Sequence, residues 1–204
     1  MDYNLKQIEI LKTSEKLFAE KGFDGTSIRD IAKVADINIA MISYYFGSKE
    51  KLLEALIFYR VSNFRMILEN LQAEKIKPVE KIKKFVASYI DMIYQKKDIY
   101  QIIHFEIVNQ KRACDFSVFS EIKKKNLLLL ENIIAEGQKT NEFKLISNPH
   151  LIPAIIIGSF SQVYNNKKYY YELLNFKSEK EFENYILNDF KEDITNVILG
   201  MLIK

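Results

Sequence analysis

Residues 22–53 read GFDGTSIRDIAKVADINIAMISYYFGSKEKLL. Gly22 closes the helix before it, because glycine takes the left-handed cap conformation cheaply. Thr26 or Ser27 caps a second helix, whose Ile28, Ile31, Ala32 and Ala35 fall at i, i+3, i+4 and i+7. A short turn at Asp36-Ile37 leads to Asn38, the cap of a third helix through Phe46. Gly47-Ser48 stops that helix, and Ser48 caps a fourth. On the third helix Ile42 and Phe46 lie one turn apart and face inward, with Ile37 sealing the turn. At about 100° per residue, Ala40 and Tyr44 point the opposite way, flanked by Met41, Ser43 and Tyr45.

Two short capped helices joined by a tight turn make a helix-turn-helix, whose second helix enters a major groove. An outward face of Ala, Met and Tyr is unusual for a solvated helix but suits a groove. Small and apolar groups meet thymine methyls there, and tyrosine hydroxyls reach phosphates. The helix N-termini at Thr26 and Ser48 offer free N–H groups to phosphates, and Lys49 adds charge beside the second. Arg29 is one of four arginines against 26 lysines. Its place in the first turn of the second helix brings its guanidinium toward a guanine edge or a phosphate.

Working outward, only 6 Gly and 3 Pro interrupt 204 residues, and apolar positions recur at three- and four-residue spacing. The pattern predicts an all-α chain of about nine helices, with three short ones early. The first spans about residues 4–21 and the fourth 49–73. Later ones cover about 78–96, 98–109, 117–137, 149–173 and 178–201. Pro78 and Pro149 suit first helical turns, and Ser178 with Glu181 forms a capping box.

The remaining chemistry is sparse. Cys114 is the single cysteine, and His104 and His150 are the two histidines. They supply no disulfide, zinc cluster or triad, so neither a catalytic site nor a metal or other cofactor is expected. His104 and Glu106 point about 200° apart on a helix and form no dyad. Lys123-Lys124-Lys125 reads as a solvated face, and Tyr169-Tyr170-Tyr171 as the partly buried end of a helix. The N-terminus carries charges throughout, unlike a signal peptide. The longest apolar run, residues 151–157, falls far short of the ~20 needed to cross a membrane. A cytoplasmic protein is expected.

The segment resembles the DNA-binding region of the TetR family of bacterial transcriptional regulators, above all in T-S-I-R-D-I-A and Y-Y-F-G-S-K-E-K-L-L. The resemblance covers about a quarter of the chain. It implies that residues 1–53 bind DNA and that the third helix is the recognition helix. Thr26, Tyr44, Tyr45 and Lys49 then match phosphate-contacting positions, with Ser27 at the same helix start. Asn38, Ile39, Ala40 and Met41 match positions near base edges, and Arg29 a position that sometimes reads a base. Ser43 departs from the pattern, since many members carry an aromatic there.

The resemblance also implies that residues 54–204 bind a small-molecule effector and dimerise through the last two helices. Tyr185, Ile186, Phe190, Ile194, Val197, Ile198 and Met201 form a wide apolar stripe suited to such an interface. Two-fold symmetry would set two recognition helices about 34–36 Å apart, on successive major grooves of a palindromic operator. Candidate effector contacts are Phe85, Tyr89, Met92, Ile93, His104, Phe105, Phe119, Leu130, Phe160 and Tyr164. That chemistry favours an apolar or amphipathic ligand. The resulting expectation is a repressor released from its operator by that ligand. The alternatives are a DNA-binding protein whose larger domain takes a protein partner, and an all-helical enzyme.

Charge identifies none of this. Residues 1–52 hold eight basic and eight acidic side chains, so the whole net charge of +3 lies beyond them. Few phosphates should be neutralised per subunit, and the salt dependence of DNA binding should be shallow.

Overall fold

The computed structural model describes residues 3–61, 64–109, 117–145 and 148–203. Among them run twelve helical segments: α1 (Leu5–Lys21), α2 (Ile28–Val34), α3 (Ile39–Phe46), α4 (Lys49–Val61), α5 (Phe64–Ala73) and α6 (Pro78–Gln95). There follow α7 (Lys97–Asn109), α8 (Ser117–Lys139), α9 (Leu151–Asn165), α10 (Lys167–Leu173), α11 (Glu179–Leu187) and α12 (Asp189–Leu202). The only β pairing among the described residues is an isolated antiparallel bridge, Phe143 with Ile203. Cys114 lies outside the described residues.

The fold is the expected all-α one, with two helices that break where the spacing runs on. The expected 49–73 helix is described as α4 and α5, with residues 62–63 outside the described set. The expected 149–173 helix breaks at Asn166 (φ −104°, ψ 31°), and the expected 178–201 helix at Asn188 (φ −126°, ψ −81°). Both breaks share one local pattern. Each asparagine amide donates to the carbonyl four residues back, Gln162 O and Asn184 O, both at 2.9 Å. The backbone N–H of each asparagine donates to that same carbonyl, at 3.2 and 3.0 Å, so the side chain adds a second donor at the last carbonyl before the bend, and the apolar periodicity runs on undisturbed.

The chain divides into two compact units, Met1–Asn63 with Lys96–Lys123, and Phe64–Gln95 with Lys124–Lys204. In the first, Ile10, Leu11, Leu17 and Phe18 of α1 pack with Ile31, Ile42, Leu52, Leu53 and Leu56, and with Ile99, Ile102 and Ile103 of α7. Glu15, almost buried, receives Arg60 through Nε at 2.8 Å and through Nη2. Lys96 donates to the Arg60 carbonyl, and burial, then the Arg60 charge, holds its pKa below the ordinary lysine value.

In the second unit α6 packs on α5, α9 and α12. Lys81, only 3% exposed, is satisfied by Glu136 at 2.8 Å and the Gln72 carbonyl at 3.0 Å. Gly137 does not end its helix, which continues to Lys139, but faces the buried Phe143 ring. A Cβ at Gly137 would fall 2.1 Å from Cδ2 and 2.4 Å from Cε2 of that ring. Gly137→Ala should therefore destabilise the protein by about 1–3 kcal/mol, although alanine is the better helix former. Urea unfolding checks this through the midpoint shift.

Candidate nucleic-acid interface

Ser27 caps α2 through a reciprocal pair. Asp30 N–H donates to Ser27 Oγ at 3.1 Å, and Ser27 N–H donates to Asp30 Oδ2 at 2.9 Å. The Ser27 hydroxyl also donates to Asp30 Oδ2 at 2.6 Å. These bonds hold the Asp30 carboxyl below the usual carboxylate range. The contribution of the box is thus complete above the ordinary aspartate pKa and fades as pH falls through the lowered one.

Asn38 caps α3 by accepting from Ala40 N–H at 2.8 Å. Gly47, at φ 82°, halts it in a conformation that disfavours a side chain. Ser48 then caps α4, accepting from Lys51 N–H at 3.2 Å. Within α3 Ile42 is wholly buried, while Phe46 and the preceding Ile37 are half-buried against the same core. The opposite face is open: Ala40 and Ser43 are exposed, Ile39 is 42% exposed and Tyr44 83%. Met41 and Tyr45 sit half-buried at the margins, the Tyr45 ring 5.2 Å edge-on from that of Tyr44. Asn38, Ser27 and Arg29 are also exposed. The outward set expected from helical spacing thus shares one solvent-facing helix with a docked back.

Two predicted contacts lie differently. Thr26 is fully buried, and its hydroxyl approaches Gly22 O at 2.8 Å and Leu17 O at 3.1 Å. The Lys49 ammonium donates to the carbonyls of Phe23 and Thr26, each at 2.9 Å, and lies 4.2 Å from the Phe23 ring centroid. Phe23 and the loop carbonyls have no counterpart in the sequence reading, since a backbone acceptor leaves no mark on residue type.

Comparison with known proteins bears directly on this geometry. The profile of the bacterial regulatory proteins of the tetR family matches residues 10–56, and that of the YsiA-like protein C-terminal region matches residues 60–196. The chain belongs to the TetR family. Among its relatives is the probable HTH-type transcriptional regulator YttP of Bacillus subtilis, 32% identical over 148 residues, 71% of this chain and 70% of YttP. Another is the HTH-type transcriptional repressor NicS of Pseudomonas putida, 27% identical over 78% of this chain and 76% of NicS. The fold is shared with FadR of Bacillus subtilis, solved with stearoyl-CoA, at 18% identity and TM-score 0.71 over 95% and 98% of the chains. The protein is thus a helix-turn-helix DNA-binding transcriptional regulator, in a family whose members act as dimers and respond to small molecules.

The expected effector contacts fall in both units. His104 and Phe105 are exposed on α7 in the first, and Phe119 packs half-buried on its core. The other seven lie in the second, where Phe85, Tyr89, Met92, Ile93, Leu130 and Phe160 are buried and Tyr164 half-buried. Tyr89 stacks on Phe64 at 4.8 Å, and Phe160 on Tyr164 at 5.6 Å. Burial raises the Tyr89 phenol pKa, and burial with Glu183 and Glu179 nearby pushes Tyr94 up to about 12, so both stay neutral hydroxyls at pH 7. An open groove of about 490 Å³ lies elsewhere, lined by Phe176, Ser178, Lys180, Glu181, Asn184, Tyr185 and Asp189.

The expected dimer stripe divides by burial. Ile186, Phe190, Ile194 and Ile198 are sealed within the chain's own core. Val197 is 52% exposed, with Tyr185 and Met201 half-buried. No His, Cys, Asp and Glu group among the described residues is arranged to hold a metal, and no described helix is long and apolar enough to cross a membrane.

Proposed function

We propose that this protein is a cytoplasmic, homodimeric repressor that binds a palindromic operator through residues 1–53. It is released when an apolar or amphipathic effector enters the part spanning 54–204. The observation that carries the DNA-reading part is Tyr44, 83% exposed on a helix whose opposite side is locked by the buried Ile42. Ser27, Asn38, Ile39, Ala40, Met41 and Tyr45 complete the reading surface, with Arg29 beside them on α2. Val197, Tyr185 and Met201 are the members of the apolar stripe free to meet a second copy. The aromatic and aliphatic character of the second unit supports the effector class. The sparse histidine and single cysteine support action by binding, without catalysis.

A hundredfold release from the operator requires about 2.7 kcal/mol of coupling between the two sites. Footprinting on DNA upstream of the protein's own gene should show a symmetric protected site. Tyr44→Ala and Arg29→Ala should each weaken that binding about tenfold or more, while far-UV dichroism and melting stay unchanged. Unchanged gel-shift affinity in both variants would refute the contact assignment. Stearoyl-CoA is a practical first effector probe, scored by thermal shift and operator release.

A further inference from the structure

We propose that Lys49 and Thr26 act in DNA recognition as positioning residues that clamp the loop before α2, and that neither spends its polar group on a phosphate. The inference rests on the DNA-reading assignment above and redistributes roles within it. Residues 22–27 leave α1 and turn into α2, and such a bend leaves carbonyls without helical partners. The Thr26 hydroxyl serves Gly22 O at 2.8 Å and Leu17 O at 3.1 Å from a fully buried position. Phe23 O accepts from Thr26 N–H at 3.2 Å and from Lys49 Nζ at 2.9 Å. Thr26 O accepts the second Lys49 bond, also 2.9 Å, and the Phe23 ring face lies 4.2 Å from the ammonium.

Lys49 is the first residue of α4, directly after the Gly47-Ser48 stop of the recognition helix. Its side chain therefore ties the end of α3 to the start of α2, where Ser27 and Arg29 stand. A charge with two carbonyls and a ring face around it is held in place, and moving it to a phosphate would take the Lys49 donor from Thr26 O and one of two donors from Phe23 O. The clamp thus fixes the angle between the two helices that meet DNA.

Salt dependence separates the two roles. A phosphate contact contributes about 0.9 per subunit to the slope of log affinity against log salt, and a positioning residue contributes nothing. The probe is a duplex selected from a random pool by the wild-type protein, with a scrambled duplex as the non-specific reference. Lys49→Met and Thr26→Val, measured as folded full-length chains, should bind the selected duplex about tenfold more weakly. Their salt slopes should equal the wild type's, and affinity for the scrambled duplex should change less than twofold. Thr26→Ser should restore binding. A slope reduced by about 0.9 per subunit in Lys49→Met, on both duplexes, would overturn the proposal in favour of a phosphate contact. So would unchanged operator affinity with a lowered melting point, which assigns the clamp to stability alone. Wild-type selection of a duplex reports on DNA reading and the variant ratios on the clamp, so the two fail separately.

Discussion

Replacing Phe182 with alanine should cost about 3–5 kcal/mol of stability, the range for deleting a fully buried aromatic ring. Phe182 is 0% exposed and sits where α9, α10 and α11 converge. Its ring lies 6.4 Å from Tyr164, 5.6 Å from Tyr171 and 6.0 Å from Phe176, and the Lys167 ammonium is 5.1 Å from its centroid. No single neighbour can refill the space, because Tyr171 and Phe176 are set edge-on to each other at 5.8 Å and would both have to move. Lys167 would also lose one of its two ring faces, keeping Tyr171 and its pairing with Glu179. The midpoint of urea unfolding should fall with little change in slope, and thermal unfolding should shift by about 10 °C. Because Tyr185 stands one turn along the same helix, sedimentation should also show weaker self-association. A loss below 1 kcal/mol would mean that α10 and α11 are held from elsewhere.

The helix-turn-helix was legible because each of its boundaries is written in a side chain. Ser27 and Asn38 cap, Gly47 stops, and Ile42 and Phe46 mark the buried side at helical spacing. The outward Tyr44 followed from geometry alone. The breaks at Asn166 and Asn188 were hidden because Ile186, Phe190, Ile194 and Ile198 keep a four-residue step straight across one of them. The one mark at each break is the asparagine, whose amide also donates to the carbonyl four residues back, but the same residue also occurs unbroken in helices, as at Asn184. The inward turn of Thr26 and Lys49 was beyond reach for a different reason. Their partners are carbonyls, and every residue has one.

The dimer stripe shows the same limit from the apolar side. Periodicity identifies which residues leave water, and it says nothing about whether their own core or a second copy covers them. Ile186, Phe190, Ile194 and Ile198 are covered from within, while Val197, half exposed one residue before Ile198, is not. Likewise, α7 carries Ile99, Ile102 and Ile103 into the core of the first unit, although nothing in their spacing distinguishes that core from the other.

Ile42→Ala should cost about 2–5 kcal/mol and should abolish operator binding without touching a single outward residue. The recognition helix has eight residues, well below the length at which an isolated helix persists in water, so docking must hold it. Ile42 is its one fully buried side chain, with Phe46 and Tyr45 only half-covered on the same core. Removing the Ile42 side chain beyond Cβ takes away the one fully buried anchor and leaves only the half-covered Phe46 and Tyr45 to hold the helix and fix its rotation. Tyr44 and Ala40 would then sample many orientations, and specific binding should drop by at least a hundredfold, about 2.7 kcal/mol. Ile42→Val, which deletes one methyl group, should cost about 0.5–1.5 kcal/mol and leave most binding intact. Tyr44→Ala is the complementary variant, since it should lose binding at full stability. Gel shift and chemical unfolding on the three proteins therefore separate holding the helix from reading with it. Equal binding losses at equal stability in Ile42→Ala and Tyr44→Ala would contradict the division of α3 into a docked side and a reading side.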